Sequence, residues 1–84
     1  MATYIGTISE HNGGMEYSSD FLFNTGGDPD KKLERIAANW RGKLKRDEGA
    51  GGYWSEGNLI FPDGCVQVKP EHVKVLRKYL ITVR

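Results

Sequence analysis

The sequence predicts an α+β domain: a small antiparallel sheet of four to five strands with two helices packed on one face, in the order ββαββ(β)α. Three observations carry that expectation. Residues 3–24 hold two stretches of strand-forming composition around a glycine turn, residues 29–41 read as an amphipathic helix, and residues 53–68 hold short apolar runs between glycine turns. A sheet with its helices segregated to one side buries the apolar face that each such element carries.

Thr3-Tyr4-Ile5-Gly6-Thr7-Ile8-Ser9-Glu10 is rich in the β-branched and aromatic residues that suit a pleated, half-buried surface. Asn12-Gly13-Gly14 supplies the positive-φ positions of a tight hairpin. Residues 15–24 then alternate, with Met15, Tyr17, Phe21 and Phe23 on one face and Glu16, Ser18, Asp20 and Asn24 on the other, Leu22 being the exception. Asp28-Pro29 combines a capping carboxylate with a proline suited to the first helical position, where its missing N–H costs nothing. Leu33, Ile36, Ala37 and Trp40 then recur at helical spacing, and Gly42 stands where a glycine ends a helix. Residues 42–52 read as a mobile loop. Tyr53-Trp54, Leu59-Ile60-Phe61 and Cys65-Val66-Gln67-Val68 read as a meander of two or three strands, broken at Glu56-Gly57-Asn58 and at Pro62-Asp63-Gly64. Pro70 opens a second helix over 70–80 with Val73, Leu76 and Leu80 on its inner face; residues 81–83 fit either helix or strand. The expected core is rich in Tyr17, Phe21, Phe23, Trp40 and Phe61.

Eighty-four residues, 38% hydrophobic and 27% charged, accommodate one domain over 1–84. No run of 18 apolar residues is present, so no membrane span is expected. The start of the chain lacks the basic and apolar regions of a secretory signal, and the single Cys65 cannot form an internal disulfide. These readings point to a cytoplasmic protein.

The net charge of +1 conceals segregated blocks. Residues 1–30 carry Glu10, Glu16, Asp20, Asp28 and Asp30 with no Lys or Arg, a charge of −5; residues 31–46 carry seven cations against Glu34, a charge of +6. Residues 47–63 sum to −4 and residues 64–84 to +4. Surfaces of both signs suit protein docking, where charge complementarity sets register and on-rate. They suit non-specific DNA binding less, because neighbouring acids repel phosphates. The candidate contact residues are the basic cluster Arg35, Arg41, Lys43, Lys45 and Arg46, with Trp54 as an aromatic anchor, since Trp, Tyr and Arg dominate binding hot spots.

Catalytic and metal-binding motifs are not expected. His11 and His72 lack metal-ligand spacing, one cysteine makes no Cys-x-x-Cys pair, and Asp28 and Asp30 are explained as cap and dipole partners of a helix. Cys65 reads as a small buried hydrophobe rather than as a nucleophile paired with His72. Gly26-Gly27-Asp28-Pro29 lacks the Lys-Ser/Thr of a phosphate loop, and Gly49-Ala50-Gly51-Gly52 leads into a strand rather than a helix. Neither cofactor nor metal is expected.

Met15-Glu16-Tyr17-Ser18-Ser19-Asp20-Phe21-Leu22-Phe23, leading into Gly27-Asp28-Pro29-Asp30 and the Leu33–Trp40 helix, resembles in format the small anti-CRISPR and related anti-defence proteins of phages and mobile elements. The resemblance spans about a third of the chain and transfers no functional residue. It implies a stoichiometric, non-enzymatic inhibitor acting inside a bacterial host. Such a protein binds a CRISPR effector subunit, or a similar nucleic-acid-processing complex, and blocks access of target nucleic acid or nuclease. Either the basic cluster grips an acidic subunit, or the acidic segments occupy a channel meant for nucleic acid. The alternative reading is a small nucleic-acid-binding domain that uses the basic 31–46 segment. Monomer and dimer are both open.

Overall fold

The computed structural model describes residues 1–40, 45–47, 52–55 and 57–84. Its elements are β1 (Ala2–Asn12), β2 (Met15–Thr25), α1 (Pro29–Ala38), β3 (Lys45–Asp47), β4 (Gly52–Ser55), β5 (Asn58–Gln67), α2 (Pro70–Leu76) and β6 (Thr82–Val83). They form one mixed sheet in the order β3-β4-β5-β1-β2-β6, so the α+β class and the element order are those expected. The two edges each carry a very short strand, β3 of three residues and β6 of two, and β6 runs parallel to β2.

The β1–β2 hairpin closes through Gly13 and Gly14, whose φ of 53° and 89° are the left-handed pair that a two-residue turn requires. Asn12 then faces Met15, and the unbroken register places Tyr4 opposite Phe23 and Gly6 opposite Phe21. Gly6, Ile8, Phe21 and Phe23 on this face pack with the α1 residues Leu33, Ile36 and Ala37. The helix begins as its sequence dictates: the Asp28 carboxylate accepts from the Asp30 N–H at 2.9 Å, and Pro29 takes the first turn. It ends at Ala38, earlier than the expected 41, and is capped by Asn39, whose Nδ2 donates to the Arg35 carbonyl at 2.8 Å. Trp40 consequently lies just past the helix. Its ring packs on Phe21 at 5.2 Å, and its Nε1 donates to Glu10 Oε1 at 3.0 Å. The expected terminating residue, Gly42, lies outside the described residues.

Ile8, Phe21, Phe23, Leu33, Ile36, Ala37, Tyr53 and Ile60 make the main core, with Trp40 and Tyr4 packed against it. Two of the aromatics expected there are not in it. Tyr17 shares the α1 face of β2 but is 50% exposed, because α1 does not reach that end of the hairpin. Phe61 is half-buried on the opposite side of the sheet. Gly6 is what lets α1 approach: a Cβ there would stand 2.8 Å from a Phe23 ring carbon, 2.9 Å from Leu33 Cδ1 and 3.1 Å from Phe21. Gly6→Ala should therefore overpack the core, costing about 1–3 kcal/mol. In thermal unfolding this lowers the midpoint by about 4–8 °C for each kcal/mol lost. An unchanged midpoint would contradict this packing.

Instead of sharing one face, as the sequence led us to expect, the two helices divide the faces of the sheet between them. β2, β3, β5 and β6 all point the same way, but α1 carries the chain from β2 across to β3, while α2 carries it from β5 back to β6 in the opposite direction. Crossovers between parallel strands are right-handed, so two that travel in opposite directions lie on opposite faces. Leu22 and Val68 accord with this: both are buried, at 0% and 7% exposure, yet neither belongs to the α1 cluster. Leu22, out of step in the hairpin's alternation, is thus explained by what covers the second face. Val73, Leu76 and Leu80 are the half-buried residues of the 70–80 stretch, as their spacing suggested, although α2 itself stops at Leu76. Residues 82–83 are strand, held beside β2 by the Leu22 N–H donating to the Ile81 carbonyl at 2.8 Å.

Two stretches expected to be loop or turn are paired. Lys45–Asp47 lies against β4 within the stretch read as a loop, the rest of which up to Gly51 lies outside the described residues. Pro62-Asp63-Gly64 does not separate two strands. Gly6 faces Cys65 and Ile8 faces Pro62, so β5 carries one extra residue here as a bulge, absorbed by Gly64 at a φ of 94°. Among the described residues no helix is long and apolar enough to cross a membrane.

Candidate protein-docking surface

The alternation of each strand assigns its side chains to a face. Tyr53 faces Ile60 and enters the core under α1; Trp54, next in the chain, faces Leu59 and projects from the other side at 52% exposure. Arg35 is exposed on α1. The structure therefore places Arg35 and Trp54, both drawn from the sequence as contact residues, on opposite sides of the sheet. Lys45 and Arg46 sit on β3 in register with Trp54 and Tyr53. Arg41 and Lys43 lie outside the described residues.

Arg35 belongs to a groove of about 410 Å³ between the end of α1 and the C-terminal strand. Ile36, Trp40 and Val83 give it an apolar lining, and Lys32, Arg35 and Arg84 bring three cations. The charge blocks of the sequence showed the first two of these; Arg84 reaches them only through the parallel pairing of β6.

The opposite face, where α2 does not cover it, is an open sheet of a different character. β4 and β5 contribute Trp54, Leu59 and Phe61, β1 contributes Thr7, Ser9 and His11, and β2 contributes Glu16 and Asp20. Asp63 joins them from the bulge. Two of the carboxylates are held by hydroxyls from β1: Thr7 Oγ1 donates to Asp20 Oδ1 at 2.7 Å and Ser9 Oγ to Asp63 Oδ2 at 2.5 Å. These hydroxyl contacts orient the two exposed carboxylates on this face. His11 lies 3.7 Å from Glu16 and edge-on to the Phe61 ring at 5.2 Å. A trough of about 380 Å³ runs between them, lined by His11, Glu16, Leu59, Phe61 and Asp63.

Gly52 positions the aromatic part of this face. A Cβ there would meet the Ile60 carbonyl oxygen at 2.8 Å and Phe61 ring carbons at 2.8 and 2.9 Å, so only glycine lets the Phe61 ring lie against β4. The charge blocks of the sequence already placed Glu16 and Asp20 in an acidic segment suited to a basic surface, but did not join Leu59, Phe61 and Asp63 to them. The period-two alternation of residues 3–11 and 15–24 was the available signal, since it puts the hydroxyls and carboxylates together on the face away from the aromatic core.

Cys65, expected from the sequence to be a small buried hydrophobe, is half-buried, with its thiol beside α1. Desolvation, then the charge and hydrogen bond of Asp30, then the charge of Asp28, push its pKa above the ordinary cysteine value. Its Sγ donates to Asp30 Oδ1 at 3.7 Å. Because the thiolate is the nucleophile, a raised pKa leaves the thiol less reactive at neutral pH. Asp30→Asn removes the nearest negative charge, so alkylation of Cys65 by iodoacetamide should become faster at a given pH, with its pH profile displaced downward. A profile that stays in place would contradict the Asp30 contact. Among the described residues, no group of three or more His, Cys, Asp or Glu is arranged to hold a metal ion.

No family model matches this chain, and neither a curated protein nor a solved structure matches it.

Proposed function

We propose that the protein is a non-enzymatic binding module whose open sheet face docks on a basic, nucleic-acid-binding surface of a partner complex and so competes with nucleic acid there. The observation that supports this reading most is the joining of an exposed aromatic, Trp54, and the half-buried Leu59 and Phe61 to carboxylates held by Thr7 and Ser9. Protein interfaces are anchored by aromatic residues in a desolvated centre, and fixed charges at the margin set orientation and on-rate. Ordered carboxylates on a sheet repeat, at modest scale, the negative charge that a nucleic-acid channel is built to receive.

The partner class proposed is a bacterial CRISPR effector or a similar nucleic-acid-processing defence complex, which places the protein in the cytoplasm of a bacterial host. The test is displacement of labelled target DNA from purified effector complexes by the full chain. Displacement supports the reading; a panel of such complexes that all retain their DNA counts against this partner class.

A second reading rests on the groove formed by Lys32, Arg35 and Arg84 around Trp40. Three cations beside an aromatic ring favour direct contact with phosphates and a stacked base. That reading expects binding of the protein to DNA or RNA alone, weakening by about one log–log unit with salt for each phosphate neutralised. The absence of any shift at low salt would dismiss it.

A further inference from the structure

Among the described residues, the outer edge of β2 is open over most of its length. β1 pairs with β2 from end to end, but β6 covers only Leu22 and Phe23 on the other side. In an antiparallel ladder the N–H and C=O of successive residues point alternately to one neighbour and to the other. The Leu22 N–H points outward, to the Ile81 carbonyl, and the register of β1 and β2 is unbroken. The outward-pointing groups preceding it are therefore those of Glu16, Ser18 and Asp20, and among the described residues no strand faces them. Proteins usually blunt such edges by shortening or covering them, because an unpaired row of backbone groups is a template for another strand. The short β3 and β6 fit that practice, but residues 15–20 do not.

The side chains along this edge specify what would fit. Glu16 and Asp20 project to the open face, whereas Met15 and Tyr17 project to the α1 side beyond the reach of the helix, at 59% and 50% exposure. We infer that the β2 edge accepts an extended partner segment as an added antiparallel strand, one that alternates Lys or Arg with apolar residues. Its cations lie opposite Glu16 and Asp20, and its apolar residues lie beside Met15 and Tyr17. Main-chain bonds would supply affinity and the alternating side chains specificity. A second copy of this chain is the poorer occupant. Edge-to-edge pairing with Ser18 opposite itself gives the longest ladder, and it sets Glu16 against Asp20 of the other copy twice, a like-charge juxtaposition.

The inference shares Glu16 and Asp20 with the open face but does not need Trp54, Leu59 or Phe61, since the ladder lies in the plane of the sheet and away from them. The experiment is titration of the isotope-labelled full chain with a capped peptide alternating lysine and valine, followed by amide hydrogen exchange. Exchange at Glu16, Ser18 and Asp20 is expected to slow about tenfold or more. Glu16→Lys combined with Asp20→Lys should weaken binding about tenfold, and Trp54→Ala should leave it unchanged. Antiparallel pairing also aims the lysine N–H groups of the peptide at β2 and the valine N–H groups away. N-methylation of the lysines should therefore abolish binding, and N-methylation of the valines should spare it. Equal binding of both methylated peptides, or perturbation centred on the Trp54 indole, overturns the inference. Protection of the same amides without peptide, rising with protein concentration, overturns it in favour of a second copy.

Discussion

Phe21→Ala should remove a large share of the protein's folding stability and shift its unfolding transition far to lower denaturant. Phe21 is fully buried where the hairpin, α1 and the residue beyond α1 converge: its ring lies 6.1 Å from that of Phe23 and 5.2 Å from that of Trp40, and it borders Gly6. Truncating a buried phenylalanine to alanine costs about 3–5 kcal/mol, the lost transfer energy plus the cavity left behind. A domain of this length has about 4–13 kcal/mol of total stability. The cavity cannot close easily, because α1 is already at the closest approach that Gly6 allows and the sheet fixes the other wall. The check is chemical denaturation followed by circular dichroism. Phe61→Ala serves as the comparison, since the same truncation at a half-buried site on the other face should cost clearly less. Equal losses would mean that the core does not lie under α1.

The second large effect concerns binding rather than folding. Trp54→Ala removes an exposed side chain at the end of a short strand, so the melting curve should barely move. A buried aromatic anchor at an interface contributes about 2 kcal/mol or more, a loss of at least about thirtyfold in affinity. Adding Asp63→Lys to Trp54→Ala should deepen the loss, and the effect of Asp63→Lys should shrink at high salt, because charge at an interface margin acts mainly on the rate of association. Ser9 is buried and its hydroxyl donates to Asp63. The change at Asp63 should therefore be made alongside Ser9→Ala, to separate loss of the carboxylate from the disturbance of its holder. Wild-type affinity in Trp54→Ala would remove the aromatic centre from the interface.

The parts of this fold that were readable in the sequence are those governed by neighbours in the chain. Asn12-Gly13-Gly14 closes a hairpin by its own dihedral preferences, and Asp28-Pro29 starts a helix through contacts within one turn. What was not readable depends on pairing between distant residues. Gly64 looks the same in sequence whether it makes a turn or a bulge, and only the length of β1, which needs a partner throughout, decides for the bulge. Lys45–Asp47 has no strand signal of its own and acquires one from β4. The second helix shows its half-buried stripe but not the side of the sheet it will cover, which follows from the direction of its crossover. The same holds for the candidate site. Arg35 and Trp54 each stood out locally, by charge and by aromaticity, and only the register of β4 with β5 separates them across the sheet.

That separation allows the two faces to be tested against each other in one assay. Labelled target DNA bound to purified CRISPR effector complexes is challenged with the wild-type chain, with Trp54→Ala and with Arg35→Glu. The account expects the wild type and Arg35→Glu to displace DNA from a susceptible complex at similar concentrations, and Trp54→Ala to require at least about thirtyfold more. Loss of displacement in Arg35→Glu with Trp54→Ala unaffected would contradict it and assign the contact to the basic groove.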